Sequence, residues 1–169
     1  MKKLNIGCGS SIIQGYDNID LYCTIDGVIH GDIENLESMY PMGTVDEIIA
    51  SDIIEHISHT KVDNVLASWC RLLKPEGTIW IKTPDSKKQA EMFLSGLWSL
   101  EVYRYMLMGG QEHDGNYHYT VFTSEYLVQQ LQKNDIIDIK VEFIHECLNN
   151  DIRTSSNANM IINGKKRYV

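Results

Sequence analysis

The feature that most constrains the fold is a pair of apolar segments joined by a helical pattern. Residues 45–50 form a nearly continuous apolar run, which is typical of a strand buried on both faces of a parallel sheet. From Thr60, apolar side chains recur at helical spacing, beginning with a Thr-x-x-Asp capping pattern and stopping at Pro75. Residues 78–83 are rich in β-branched side chains and predict a second strand. Strand, helix and strand form a βαβ unit with a right-handed crossover, so the two strands pair in parallel.

The rest of the chain continues this alternation of strands and helices. Two helical segments are predicted, over residues 92–108 with a break at Gly96 and over residues 123–134. Further strand-like segments lie at residues 3–8, 16–21, 28–33, 136–144 and 159–162. About seven strands result, and an open α/β sheet of this kind binds ligands outside the carboxyl ends of its strands.

Length and charge narrow the classes of function. With 169 residues the chain is expected to form a single domain, residues 1–169. The formal charge of −8 opposes binding to nucleic acid, and the basic run 165–167 is read as a solvated tail.

No apolar run reaches the roughly 18 residues of a membrane span, and no signal-peptide region follows Lys2 and Lys3. No membrane association and a cytoplasmic location are therefore expected. The cysteines lack disulfide or zinc spacing and are expected to be reduced and mostly buried: Cys8, Cys23, Cys70 and Cys147.

Three successive strand ends carry residues suited to a nucleoside. The first is the turn at residues 7–10, Gly-Cys-Gly-Ser, where missing Cβ atoms allow a close approach to a ligand. Asp20 ends the second strand, where a carboxylate can accept from ribose hydroxyls, and Asp32 with Ile33 ends the third, where they can meet adenine. Each feature alone has an ordinary interpretation as a tight turn or a surface aspartate. One nucleoside lying across all three explains them together.

These segments resemble the class I S-adenosylmethionine-dependent methyltransferases, in particular small members that open with a Leu-Asn-Ile-Gly-Cys-Gly segment. The similarity extends over nearly the whole chain, through the second-strand block at 15–20, the fourth strand at 45–51, the Glu-His signature at 54–57, the turn at 72–78 and the block at 118–125. The resemblance implies a Rossmann-like, doubly wound seven-stranded sheet, mostly parallel with an antiparallel last strand and helices on both faces. It also implies a methyltransferase with S-adenosylmethionine as cofactor.

Matching positions give the expected cofactor site. Gly7 and Gly9 approach the methionine portion, Asp20 the ribose, and Asp32 with Ile33 the adenine. The remaining members are the neighbours of these residues and a residue after the fourth strand: Cys8, Leu21 and Ser51.

The first loop departs from the family pattern. Asn5 stands where many relatives carry an acidic residue, and Ser11 replaces a third glycine. About ten residues separate Gly9 from Asp20, too few for a full helix with its loops, so this edge is expected to be open. A homodimer is left open as one way to complete it.

The acceptor side is expected in a probable insertion at residues 86–122. The acceptor is expected to be a small molecule, and the resemblance favours a sugar or metabolite hydroxyl. His56, His113 and His118 are the candidate catalytic bases, although each can equally serve as an ordinary polar residue. No complete ligand set accompanies His56 and His59, so no metal is expected. The apolar stripe from Met92 to Met108 is read as packing rather than as an acceptor lid.

The sequence leaves two alternative functions open. A nicotinamide-dependent oxidoreductase also has a glycine turn after the first strand and an acidic residue at the end of the second. Its glycine pattern, however, requires glycine where this chain has Ile12. A non-catalytic member of the same fold, acting as a binding or regulatory module, fits the shortened first loop.

Overall fold

A computed structural model of the protein describes residues 1–146 and 156–168. The described strands form one seven-stranded sheet in the order β3-β2-β1-β4-β5-β7-β6. The strands are β1 (Lys3–Ile6), β2 (Asp17–Asp20), β3 (Val28–His30), β4 (Val45–Ser51), β5 (Leu73–Pro84), β6 (Ile136–Glu146) and β7 (Ser156–Lys166). The first five pair in parallel, and β7 is antiparallel to both β5 and β6. The predicted Rossmann-like sheet with an antiparallel last strand is confirmed. Cys147 lies outside the described residues.

Helices connect these strands much as the sequence predicts. They are α1 (Val62–Leu72), α2 (Ser86–Leu94), α3 (Leu100–Met108) and α4 (Ser124–Lys133), with short 3-10 segments at Ile33–Ser38 and Ile54–His56. The predicted cap at Thr60 is wrong, because Lys61 precedes α1 and no side chain caps that helix. The turn that the resemblance implies at 72–78 instead lies largely within an irregular start of β5, beside a register shift in its pairing with β4. Among the described residues, no helix has both the length and the apolar composition needed to cross a bilayer.

The main core lies on one face of the sheet. Leu4, Ile48 and Ile79 are aligned across β1, β4 and β5, and all three are completely buried. Helices α1 and α4 contact each other and contribute Trp69 and Leu131 to this core. On the opposite face most of the aligned side chains of β4 and β5 stay half-buried.

The connection between β1 and β2 contains no helix, and two buried asparagines brace it instead. The Asn5 amide donates to the Ser11 carbonyl and to the Asn18 side-chain oxygen, both at 2.8 Å. Asn18 in turn accepts from the Ile13 amide at 2.8 Å and donates to the Tyr16 carbonyl at 3.1 Å. This network accounts for Asn5, because an ionised carboxylate there has no proton to donate to either oxygen.

Candidate active site

A pocket of about 810 Å³ opens at the carboxyl ends of β1 and β2 and beside the segment that follows β3. This volume lies within the roughly 300–1,000 Å³ of small-molecule sites. Its lining comes from five segments of the chain: Gly7, Gly9, Asp20, Leu21, Tyr22, Cys23, Asp32, Ile33, Glu34, Ile53, His56, Ile57, His113, Asp114, Gly115 and Tyr119. It therefore lies where an open α/β sheet places its ligands.

The two glycines of the first loop are required for different reasons. Gly7 has φ +61°, and a Cβ there would lie 2.0 Å from Cγ1 of Ile53. Gly9 has φ +50°, but a Cβ there would meet no atom within 4 Å. Close packing and backbone conformation both demand glycine at Gly7. At Gly9 only the backbone demands it, and the space beside it is open.

Asp20 fixes the shape of the pocket wall. One carboxylate oxygen accepts from the Gly9 amide, and the other accepts from the amides of Tyr22 and Cys23, all at 2.8 Å. The carboxylate thus ties the loop after β1 to the loop after β2. A carboxylate has about four acceptor sites, so one remains for a ligand hydroxyl.

Asp32 and Ile33 form the neighbouring wall. One carboxylate oxygen of Asp32 accepts from the Glu34 amide at 2.9 Å and caps the 3-10 segment, while the residue itself is exposed. The Ile33 carbonyl accepts from the Trp69 indole at 2.9 Å, which anchors this wall to α1. An exposed carboxylate beside a half-buried aliphatic side chain suits the amino edge and the face of a purine.

The structure brings most of the expected site residues together, but not all of them. Eight line the pocket: Gly7, Gly9, Asp20, Leu21, Asp32, Ile33, His56 and His113. Cys8 is buried, and its thiol lies 3.3 Å from the Gly9 carbonyl. Burial is the main cause that raises the pKa of this thiol to about 11, and the nearby Asp20 carboxylate adds to it. Ser51 donates to the Asp52 carboxylate at 2.9 Å. These two and His118 are not pocket-lining residues.

The pocket also includes residues that the sequence did not single out. The ring of Tyr22 packs against Gly115, where a Cβ would lie 3.1 Å from two ring carbons. This contact joins the loop after β2 to the loop that carries His113 and narrows the pocket entrance. Tyr22 follows directly after the predicted Asp20 and Leu21, so its position at a strand end was the available signal.

Glu55, His56 and His118 form a cluster beside the pocket, and of the three only His56 lines it. The 3-10 segment at Ile54–His56 supplies the first two residues, and the His118 ring meets the His56 ring edge-on at a centroid distance of 4.9 Å. The Glu55 carbonyl accepts from the amides of Tyr119 at 2.9 Å and Thr120 at 3.1 Å. The backbone therefore holds the two segments side by side.

Burial sets the charge state of this cluster. Burial lowers the pKa of His56, and burial together with His56 lowers the pKa of His118 to about 4, so both rings are neutral at pH 7. Burial raises the pKa of Glu55 to about 8, and the nearby Asp52 carboxylate adds to this effect.

Hydrogen bonds to the backbone give His56 and His113 different tautomers. Nδ1 of His56 lies 3.0 Å from the Tyr117 carbonyl, an acceptor, so Nδ1 carries the proton and Nε2 keeps its lone pair. Nδ1 of His113 accepts from the Gly115 amide at 3.2 Å, which places the proton of the neutral ring on Nε2. His56 is therefore arranged to accept a proton, and His113 to donate a hydrogen bond.

The strand order and the strand-end pocket define a class I methyltransferase architecture. Residues 4–81, just under half of the chain, match the family model described as a methyltransferase domain. The sequence match over residues 4–81 and the fold point to the same class of protein, and in both respects this chain is similar to the class I S-adenosylmethionine-dependent methyltransferases. A comparison with curated proteins gave no significant match.

Solved structures share this fold at low sequence identity. A SAM-dependent methyltransferase from Archaeoglobus fulgidus superposes with a TM-score of 0.70 at 17% identity, covering 98% of this chain and 86% of that one. One from Methanosarcina mazei gives 0.66 at 14% identity, covering 99% and 93%. The 1,6-didemethyltoxoflavin-N1-methyltransferase of Burkholderia thailandensis, solved with its substrate and S-adenosylhomocysteine, gives 0.64 at 13% identity, covering 98% and 71%.

Proposed function

We propose that this protein transfers the methyl group of S-adenosylmethionine to a hydroxyl group of a small molecule, within the 810 Å³ pocket. The observation that carries the proposal is that two groups of residues border the same pocket: Asp20 and Asp32 with the glycine loop, and His56, His113 and Tyr119. The first group, which we call the cofactor end, suits a nucleoside cofactor. The second group, which we call the acceptor end, suits a polar acceptor.

The residues present fit the proposed cofactor. The open space beside Gly9 admits the amino-acid portion, and the unused acceptor capacity of Asp20 suits a ribose hydroxyl. Asp32 has one oxygen occupied by the Glu34 amide and is exposed beside Ile33, as an adenine site requires.

The acceptor end supplies proton chemistry. When bound, S-adenosylmethionine supplies an electrophilic methyl carbon; its carbon–sulfur bond breaks as the carbon–oxygen bond forms, and S-adenosylhomocysteine leaves. Nε2 of His56 takes the hydroxyl proton, and the Nε2 proton of His113 hydrogen-bonds the acceptor. Ile53 and Ile57 help to exclude water from this wall of the pocket.

Calorimetric titration with S-adenosylmethionine and S-adenosylhomocysteine tests the cofactor end. We expect saturable binding that Asp32→Ala weakens by about tenfold, since one ligand hydrogen bond contributes roughly 1–1.5 kcal/mol. Asp20→Ala is expected to weaken binding further, because it also releases three backbone amides. Glu37→Ala, an exposed residue outside the pocket lining, is the matched control. Absence of binding to the wild-type protein would reject the proposal.

The helix-free first loop favours one second candidate, a non-catalytic binding module that keeps the cofactor pocket. A screen of sugar and metabolite hydroxyls for formation of S-adenosylhomocysteine separates the two functions. Turnover with any acceptor excludes the module, whereas cofactor binding without turnover across the screen supports it. NADH serves as the competitor for the oxidoreductase alternative, and its failure to displace S-adenosylhomocysteine is the expected result.

A further inference from the structure

We propose that Glu55, His56 and His118 form a binding site for one divalent transition-metal ion, next to the pocket that His56 lines. One ligand atom from each of the three side chains lies within 4.8 Å of the others. Metal–ligand bonds of about 2.0–2.2 Å bring ligand atoms to within about 4.4 Å of one another. Small rotations of these side chains are therefore enough to complete a three-ligand set.

The carboxylate of the proposed site, that of Glu55, is almost completely buried. Glu55 is 2% exposed, and its carboxylate accepts from the Thr83 hydroxyl at 3.0 Å. The cation that acts on it, Lys82, is itself paired with Asp52 at 2.9 Å. Burying an ionised carboxylate is costly, and a directly bound divalent ion would offset that cost.

The two imidazoles are arranged as metal ligands usually are. In a ligating histidine, one ring nitrogen binds the metal and the N–H of the other nitrogen commonly donates to a carbonyl. This hydrogen bond fixes the tautomer and the ring orientation. Nδ1 of His56 makes this bond to the Tyr117 carbonyl at 3.0 Å, leaving Nε2 free to ligate. The backbone carbonyls of Met106 and Leu107 lie close enough to the His118 ring to raise its pKa, against the lowering by burial.

The backbone holds the set in place before any ion binds. The Glu55 carbonyl accepts from the amides of Tyr119 and Thr120, and the His118 amide donates to the Met108 carbonyl at 3.0 Å. These bonds join the 3-10 segment, α3 and the following loop around the cluster. A preorganised site of this kind loses little conformational entropy on binding.

The ligand types indicate the class of ion. Two imidazoles and one carboxylate suit Zn²⁺, Co²⁺, Mn²⁺ or Fe²⁺ better than Mg²⁺, which prefers oxygen ligands. Three protein ligands leave a coordination position open for water or an acceptor oxygen, and His56 connects the set to the pocket that it lines.

The catalytic consequence rests on the proposed function. A bound ion would coordinate the acceptor oxygen and lower the pKa of its hydroxyl, so that the proton leaves to solvent. His56 would then be a ligand rather than the base.

Metal titration of tag-free protein, stripped with a chelator and free of S-adenosylmethionine, tests the site. We expect one Zn²⁺ per chain by calorimetry, and visible absorption bands of Co²⁺ bound with nitrogen ligands. Glu55→Gln and His118→Ala are expected to weaken binding on the order of 100-fold. His59→Ala removes an exposed histidine close in sequence and should bind as the wild-type protein does.

Three outcomes would overturn the site: no stoichiometric binding, binding unchanged in both cluster variants, or binding of Mg²⁺ alone. Circular dichroism checks folding, and the nearly isosteric Glu55→Gln decides the result if His118→Ala does not fold. Titration of S-adenosylhomocysteine in the presence of chelator keeps the two proposals separate. Cofactor binding without metal binding rejects only the metal site, and metal binding without cofactor binding rejects only the cofactor pocket.

Discussion

Gly7 and Gly9 show how two identical residues in one loop carry different constraints. Both adopt positive φ, a region that costs an L-residue roughly 1–2 kcal/mol. Only Gly7 faces a neighbour, because a Cβ there would overlap the Ile53 side chain. The sequence pattern Gly-Cys-Gly predicts a tight turn at both positions, but it does not reveal which glycine is packed.

We therefore expect Gly7→Ala to lower the free energy of unfolding by about 2–4 kcal/mol, from strain and overpacking together. Gly9→Ala should cost only about 1 kcal/mol, from the backbone alone. Denaturant unfolding of both variants measures the difference. Combining Gly7→Ala with Ile53→Ala should cost clearly less than the sum of the two single changes. Equal costs for the two glycine variants would contradict the contact with Ile53.

At the scale of elements, the loop between β1 and β2 depends on a buried pair of amides. Asn5 and Asn18 satisfy four backbone groups of the described residues 11–16 as well as each other. The covering element in this region is thus a hydrogen-bonded loop rather than a helix. Its sequence signals were the short spacing between Gly9 and Asp20 and the unusual Asn5.

Asn5→Asp is expected to destabilise the protein by about 2–4 kcal/mol at pH 7. The new carboxylate would face two oxygens that need a donor, the Ser11 carbonyl and the Asn18 side chain. Asn64→Asp, on the exposed face of α1, is the control and should change stability by less than about 0.5 kcal/mol. Denaturant unfolding compares them, and similar small effects for both would show that the amide network contributes little.

Elements with a strong local pattern were predictable from the sequence, whereas contacts across loops were not. The strand at Val45–Ser51 was predictable from its apolar residues, but the expected burial on both faces is wrong, because Ile48 and Ala50 are buried whereas Ile49 and Ser51 stay half-buried. The strand at Val28–His30 is shorter than the predicted 28–33, since Asp32 caps the 3-10 segment that follows. The approach of His118 to Glu55 and His56 had no local signal, because loop hydrogen bonds bring these distant segments together.

At the scale of the whole molecule, the net charge disfavours nucleic acid as a partner. A formal charge of −8 gives a repulsive average field toward phosphate backbones. We expect no binding of labelled single-stranded RNA or duplex DNA at micromolar protein in 150 mM salt, measured by fluorescence anisotropy. A basic nucleic-acid-binding protein of similar size is the positive control, and salt-sensitive binding would contradict the expected small-molecule acceptor.

The pocket also links parts of the chain that are distant in sequence, so its ligand should stabilise the molecule as a unit. Loops after β1, β2 and β3 meet the segment carrying His113 and Tyr119 around one cavity. S-adenosylhomocysteine at about 100 times its Kd adds roughly 2.7 kcal/mol to stability. For a domain of this size, roughly 2–4 °C of Tm per kcal/mol gives a rise of about 5–10 °C in one cooperative transition. Differential scanning calorimetry measures it, with Asp32→Ala at the same ligand concentration as the control that should rise less. An equal rise with NADH would mean that the pocket does not discriminate the proposed cofactor.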